Sequence, residues 1–264
     1  MSGLESNSRS ITTTGERMAG GDVTELATDK ASMFRALVAR ANYLSQDRGD
    51  IKYAVKELSR RMAKPRVKDI EQMKKLARYL KGNPRVIQVF KPQPMPKRIN
   101  IWSDSDYAGC LETRKSTSGG VIQLGEHVTK IWSSTQNVIA LSSGEAEYYA
   151  LVKAGSQGLG FQAMLRDLGM EGKLVLKGDA TAAKGIALRK GLGTVRHIEV
   201  NQLWLQDKIN KSEFEIHKVK GTENLADALT KYLSGKDTRE HLEWTGMENR
   251  DGRHPMAPQT EIGE

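Results

Sequence analysis

Acidic residues recur in four separated stretches of this 264-residue chain, each placed where a strand should end or a helix begin. The first is Ile-Asn-Ile-Trp-Ser-Asp-Ser-Asp-Tyr at 99–107. In a pleated strand Trp102, Asp104 and Asp106 share one face, and Ile99 and Ile101 the other. Aspartate is depleted in strands and costly to bury unpaired, so acids here call for a partner such as a metal ion. Matching acids stand in Ser-Ser-Gly-Glu-Ala-Glu-Tyr-Tyr-Ala (142–150), Leu-Lys-Gly-Asp (176–179) and Glu-Asn-Leu-Ala-Asp (223–227). Hard ions such as Mg²⁺ take carboxylate oxygens, and two of them about 3.5–4 Å apart can activate water and stabilise a leaving oxygen in phosphodiester hydrolysis. Four carboxylates from separate elements suit that chemistry.

Geometry selects within the second stretch. Glu147 is in helical register with Leu151, Ala154, Phe161, Leu165 and Leu168, the face that should pack on a sheet. Glu145, two residues away, lies on nearly the opposite side and should serve the helix N-terminus, where negative charge is favoured. Asp104 and Asp106 share a strand face, so at this level the first acid is either of them. A lone aspartate at a strand end is ordinarily a turn or cap residue; it is the recurrence of acids on successive elements that points to one site.

The elements that would position these acids come from a chain with 38% hydrophobic and 28% charged residues, a composition expected of a folded, water-soluble protein with ample core. No run of about 18 apolar residues predicts a membrane span, and residues 1–10 lack the apolar core of a signal peptide. A single cysteine, Cys110, can form no internal disulfide, so a reducing compartment inside the cell is expected. The net charge of +9 is unevenly placed: residues 31–100 hold 18 Lys or Arg against 5 Asp or Glu, and residues 101–264 hold 20 against 22. A basic segment beside an acid-bearing domain suggests a polyanion held near a metal site.

Residues 1–30 are rich in Ser, Thr and Gly without apolar periodicity and read as disordered or loosely attached. Helical spacing begins at Phe34, Leu37, Val38, Ala41 and Leu44; a second helix should follow Asp50 as its cap and stop before Pro65, and a third should run over 67–80 to Gly82. These make 31–90 a basic helical segment, with a short strand over 86–90. Lys-Pro-Gln-Pro-Met-Pro-Lys at 91–97 can be neither helix nor central strand and reads as a semi-rigid linker. Beyond it the spacing predicts a strand near 99–106, a hairpin of 120–124 and 127–133 around Gly125-Glu126, a long helix over 142–168, a strand at 174–178 and a helix over 181–188. A helix over 198–209, a strand at 214–219 and a helix over 224–232 complete 98–233 as a mixed sheet with helices on its faces. Residues 234–264 are polar and read as a flexible tail.

Ser-Asp-Ser-Asp-Tyr-Ala-Gly (103–109), Arg-Lys-Ser-Thr-Ser-Gly (114–119), Ala-Leu-Ser-Ser-Gly-Glu-Ala-Glu-Tyr (140–148), Gly-Asp (178–179), Arg-His-Ile-Glu-Val (196–200) and Leu-Ala-Asp-Ala-Leu-Thr-Lys (225–231) together resemble the ribonuclease H domain of copia-type retrotransposon Pol polyproteins. The resemblance covers about 98–233. Residues 31–90 are similar to the segment that follows the polymerase palm there, through Tyr-Leu-Ser-Gln (43–46), Leu-Ser-Arg-Arg-Met (58–62) and Ala-Arg-Tyr-Leu-Lys-Gly (77–82); the polymerase's paired-aspartate motif is not found. The resemblance implies an α/β fold, a ribonuclease H-like mixed five-stranded sheet with flanking helices, preceded by a small helical segment. It implies that Asp104 bridges two metals, Mg²⁺ or in its place Mn²⁺, that Glu147 and Asp179 complete one site and that Asp227 completes the other. It favours Asp104 over Asp106, since the first aspartate of the motif is the one that aligns. The implied substrate is the RNA strand of an RNA–DNA hybrid, told from its partner by a 2′-hydroxyl, and the implied partner is the polymerase part of a larger polyprotein. The rival reading is a non-catalytic nucleic-acid-binding remnant; a DNA-strand-transfer enzyme of the same broad fold is disfavoured by the motif match. Ala180 departs from the family, many relatives having a small polar residue after the third acid. No histidine stands in the 221–224 loop. His217 precedes it on a predicted strand, where an ordinary sheet histidine is the simpler reading; His197 reads as a cap or packing residue, and Trp132 and Trp204 as core.

Overall fold

The computed structural model describes residues 21–193, 197–252, 254 and 256. Helices α1 (Thr28–Leu44), α2 (Lys52–Ser59) and α3 (Val67–Gly82) come first, then a short strand β1 (Val86–Gln88). Each of the first two helices begins without a side-chain cap. Asp50 therefore does not cap α2: its carboxylate is paired with Arg48 at 2.7 Å and accepts the Tyr79 hydroxyl at 2.8 Å. The three helices share a core of Phe34, Val38, Ile51, Val55, Leu58, Leu76 and Tyr79.

The main sheet is built from β2 (Arg98–Ser105), β3 (Thr117–Leu124), β4 (His127–Thr135), β5 (Lys173–Gly178) and β6 (Phe214–Lys218). Its order is β4-β3-β2-β5-β6. The first three strands pair antiparallel and β2, β5 and β6 run parallel. Helix α4 (Ser143–Asp167) follows the antiparallel meander, α5 (Thr181–Leu188) and α6 (Trp204–Asn210) connect β5 to β6, and the result is the ribonuclease H-like arrangement. Helix α4 crosses one face of the sheet over Ile99, Ile101, Leu174 and Leu176, all fully buried. Its approach needs Gly158, where a Cβ would come within 2.2 Å of Ile101 Cδ1. The opposite face carries Val121 and Val128, which pack with Leu225 and Leu229.

Three further expectations need correction. Residues 22–30 are attached, since the Leu26 N–H donates to Pro65 O at 2.9 Å and the Lys68 N–H to Asp22 O at 3.1 Å; residues 1–20 lie outside the described residues. The expected helix over 224–232 is instead the single 3₁₀ turn Asp227–Leu229, preceded by another at Gly221–Glu223, because Asn224 and Thr230 spend their side chains on local backbone and on β2 rather than leaving a helical ladder. The flexible tail reading fails for α7 (Gly235–Trp244) and β7 (Met247–Asn249). Ser234 caps α7 through the Asp237 N–H, Leu242 and Met247 are buried, and β7 pairs antiparallel with β1; residues 253, 255 and 257–264 lie outside the described residues.

Candidate metal centre

Strand β2 carries the first acid to the middle of the sheet. Asp104 pairs across the ladder with Gly119, and the absence of a side chain there admits the 227–230 turn, since a Cβ would come within 2.8 Å of Leu229 Cβ. That turn supplies the Thr230 hydroxyl, which donates to Asp104 Oδ2. Asn224 donates through Nδ2 to Ser103 O at 2.9 Å and to Asp104 Oδ1 at 3.4 Å. Asp104 is thus buried, with one protein donor at each oxygen.

Glu147 comes from the first turns of α4, which starts where Ser142 accepts the Glu145 N–H. Its Oε1 accepts the Ser105 N–H at 3.2 Å. Asp179 follows the end of β5 directly. One carboxylate oxygen each of Asp104, Glu147 and Asp179 lie within 4.8 Å of one another. Asp227 stands outside that trio, its Oδ1 held by Lys231 Nζ at 2.7 Å, yet close enough for its charge to act on both Asp104 and Glu147.

Electrostatics mark the cluster as short of positive charge. Burial pushes the Asp104 carboxyl well above the usual carboxylate range; the Thr230 hydroxyl opposes this, and the charges of Asp227 and Asp179 add to it. Burial likewise raises Glu147, followed by repulsion from Asp104 and Asp179, with the Ser105 N–H opposing. Three converging hard oxygen donors, whose mutual repulsion raises the proton affinity of Asp104 and Glu147, match a divalent cation in charge and donor type.

The neighbouring acids are occupied elsewhere. The Asp106 carboxylate accepts the Thr117 N–H and so closes the loop after β2. Glu145 is buried and accepts the Leu141 N–H at 2.9 Å and the Tyr149 hydroxyl at 2.9 Å, with His197 Nε2 at 2.7 Å. His217 projects from β6 with Nε2 3.4 Å from Glu215 and lines a small hollow with Glu147, Ala180 and Lys184. Trp132 is buried in the core and Trp204 packs against it. Arg196 lies outside the described residues.

Sequence reasoning missed the groups that hold the acids: Asn224, Thr230, Lys231 and Ser105. No local spacing marks them, since Asn224, Thr230 and Ser105 act on acids from other elements; Lys231 alone stands four residues from its partner Asp227.

No family model matches the chain. Its sequence is 28% identical over 204 residues to the retrovirus-related Pol polyprotein from transposon RE1 of Arabidopsis thaliana, covering 76% of this chain and 14% of that protein. It is 35% identical over 107 residues to secreted RxLR effector protein 161 of Plasmopara viticola, covering 40% of this chain and 75% of that one. Among solved structures, LC11-RNase H1, isolated from compost by a metagenomic approach, overlays with a TM-score of 0.37 at 19% identity, over 51% of this chain and 93% of that one. The chain therefore spans about a seventh of the RE1 polyprotein it matches, and the fold rests on the strand order and directions given above.

Proposed function

We propose, for a chain similar in sequence to retrovirus-related Pol polyproteins of transposons, that its acid cluster is the centre of a metal-dependent endonuclease that hydrolyses the RNA strand of RNA–DNA hybrids. The observation that carries the reading is the convergence of Asp104, Glu147 and Asp179 within 4.8 Å, with Asp227 beside them. Asp104, Glu147 and Asp179 would hold one Mg²⁺ or Mn²⁺, and Asp104 with Asp227 a second. Such ions, when bound, supply an activated water and neutralise charge on the leaving oxygen. The protein's own part is orientation. Thr230 and Asn224 fix the two oxygens of Asp104, Ser105 fixes Glu147, and Lys231 holds Asp227 at the edge of the site. Donors of this kind orient ligating carboxylates and govern metal affinity.

The substrate class is a hybrid because its RNA strand presents 2′-hydroxyls that mark the strand to be cut. The basic helical segment supplies the charge that a nucleic acid needs, and the polymerase part of a longer polyprotein is the expected companion. Purified chain should cut labelled RNA–DNA hybrid with Mg²⁺ or Mn²⁺, leave duplex DNA intact, and stop when chelator is added. Cleavage undiminished in excess chelator would refute the metal-dependent reading, and hybrid bound but uncut with either ion would make the chain a binding module.

A further inference from the structure

We infer that Lys56, on α2 and outside the nuclease sheet, is a positioning residue for the acid cluster. The inference rests on the nuclease reading above and concerns how the helical segment serves it. Lys56 belongs to the most basic part of the chain, yet its side chain is only 9% exposed. Its Nζ donates to Glu57 Oε1 at 2.5 Å and to Thr117 Oγ1 at 2.8 Å, and sits 4.6 Å from the centre of the Tyr53 ring. A lysine turned inward in this way cannot reach a phosphate of a bound duplex, and burying an ammonium is costly unless its partners are in place.

What it grips is the hub of the strand end. Thr117 opens β3, and its remaining polar groups all go to the end of β2. Its N–H donates to the Asp106 carboxylate, while its carbonyl accepts the Asp106 N–H at 3.3 Å and the Ser105 hydroxyl at 2.9 Å. Ser105 in turn donates its N–H to Glu147 Oε1 at 3.2 Å and is the residue after Asp104. A continuous run of hydrogen bonds therefore leads from Lys56 through Thr117 and Ser105 to Glu147. Three more contacts pin the same loop to the helical segment: Arg60 donates to Cys110 Sγ, and Arg61 and Arg66 hold Glu112 at 2.6 and 2.8 Å. The helical segment thus braces the β2–β3 corner on which Asp104 stands.

A gripping lysine and a positioning lysine differ in what their loss changes. Removing a phosphate contact weakens hybrid binding and reduces the salt slope by about one. Removing a brace leaves binding and slope unchanged and lowers turnover, on the order of 10- to 100-fold, because small displacements of reacting groups are costly. The full-length chain with Lys56→Met, Lys56→Arg or Thr117→Val should be compared with the unaltered chain for kcat and KM on hybrid, for hybrid affinity across a salt series, and for amide hydrogen exchange over 103–118. Thr117→Val keeps the Lys56–Glu57 pair and so guards against a Lys56→Met chain that does not fold. The expected result is lowered kcat with KM within twofold, an unchanged salt slope, faster exchange over 103–118 in Lys56→Met and Thr117→Val, and partial rescue in Lys56→Arg. Unchanged kcat and exchange in a folded Thr117→Val chain, or a loss confined to KM and the salt slope, would overturn the inference. An unaltered chain that cuts nothing would count against the nuclease reading, and exchange over 103–118 would then decide the brace by itself.

Discussion

Neutralising Asp104 should stabilise the metal-free chain while abolishing its activity. The carboxyl is buried and its affinity for a proton is raised, first by loss of water, against the Thr230 hydroxyl, and further by the charges of Asp227 and Asp179. Because the folded state holds that proton more tightly than the unfolded chain, its contribution to stability is complete below about pH 4 and is lost as pH climbs through the folded-state value. Each pH unit in that window costs about 1.4 kcal/mol for one such carboxyl, so the interval from pH 5 to 7 is worth on the order of 3 kcal/mol. Glu147, raised mainly by burial and then by Asp104 itself, adds to the slope and loses part of its repulsion when Asp104 is neutral. His241 works in the opposite sense: burial lowers it to about 4, so it costs stability as pH falls below about 6.5. The quantity to read is therefore the difference between unaltered and Asp104→Asn chains, in which His241 cancels. Urea unfolding at pH 5, 6, 7 and 8 with chelator should show this difference moving in favour of the variant as pH rises. With saturating Mg²⁺ or Mn²⁺ the unaltered chain alone should gain, by about 2.7 kcal/mol at a hundredfold excess over Kd. A difference that is flat with pH, or metal stabilisation equal in both chains, would refute the assignment of Asp104 as an uncompensated acid awaiting a cation.

Glu147→Gln, Asp179→Asn and Asp227→Asn should each nearly abolish hybrid cleavage with folding retained by circular dichroism, since each removes a ligand charge with little change of shape. Glu145→Gln and Asp106→Asn should be milder in turnover. A dead Asp106→Asn beside an active Asp104→Asn would reverse the choice between them. Thr230→Val should raise the Mg²⁺ concentration for half-maximal rate about 10- to 100-fold, the range typical when an outer partner of a ligand is lost; an unchanged metal requirement would leave Thr230 as packing only. A chain beginning near residue 96 should bind hybrid more weakly and with a shallower salt slope, because it lacks most of the basic segment, and it should also turn over more slowly, because it lacks Lys56. Equal affinity and slope would leave that segment's charge as solvated surface.

What could be read from the sequence follows the range over which each signal acts. Alternation at Ile99 and Ile101, the Gly125-Glu126 turn and the 3.6-residue spacing after Ser142 are local, and they located β2, the β3–β4 hairpin and α4 to within a few residues. The same spacing turned Glu147 rather than Glu145 toward Asp104 and Asp179, because residues two apart on a helix point to nearly opposite sides. The choice between Asp104 and Asp106 was not local. Both lie on the same side of an ideal strand, and what divides them is that β2 ends at Ser105, after which Asp106 turns back to Thr117. That ending is set by a loop whose anchors, Lys56, Arg60 and Arg66, lie 61, 50 and 46 residues away in sequence from their partners. The basic segment showed the same limit, since a count of charges cannot distinguish a lysine that faces solvent from one that is buried on a threonine hydroxyl. Asn224 and Thr230 were hidden for a related reason: hydrophobic spacing over 224–232 favours a helix, whereas their side chains bond local backbone and also Ser103 and Asp104 of a distant strand. The acids mark a candidate site, and the residues that hold them in place are chosen by tertiary contacts that no periodicity records.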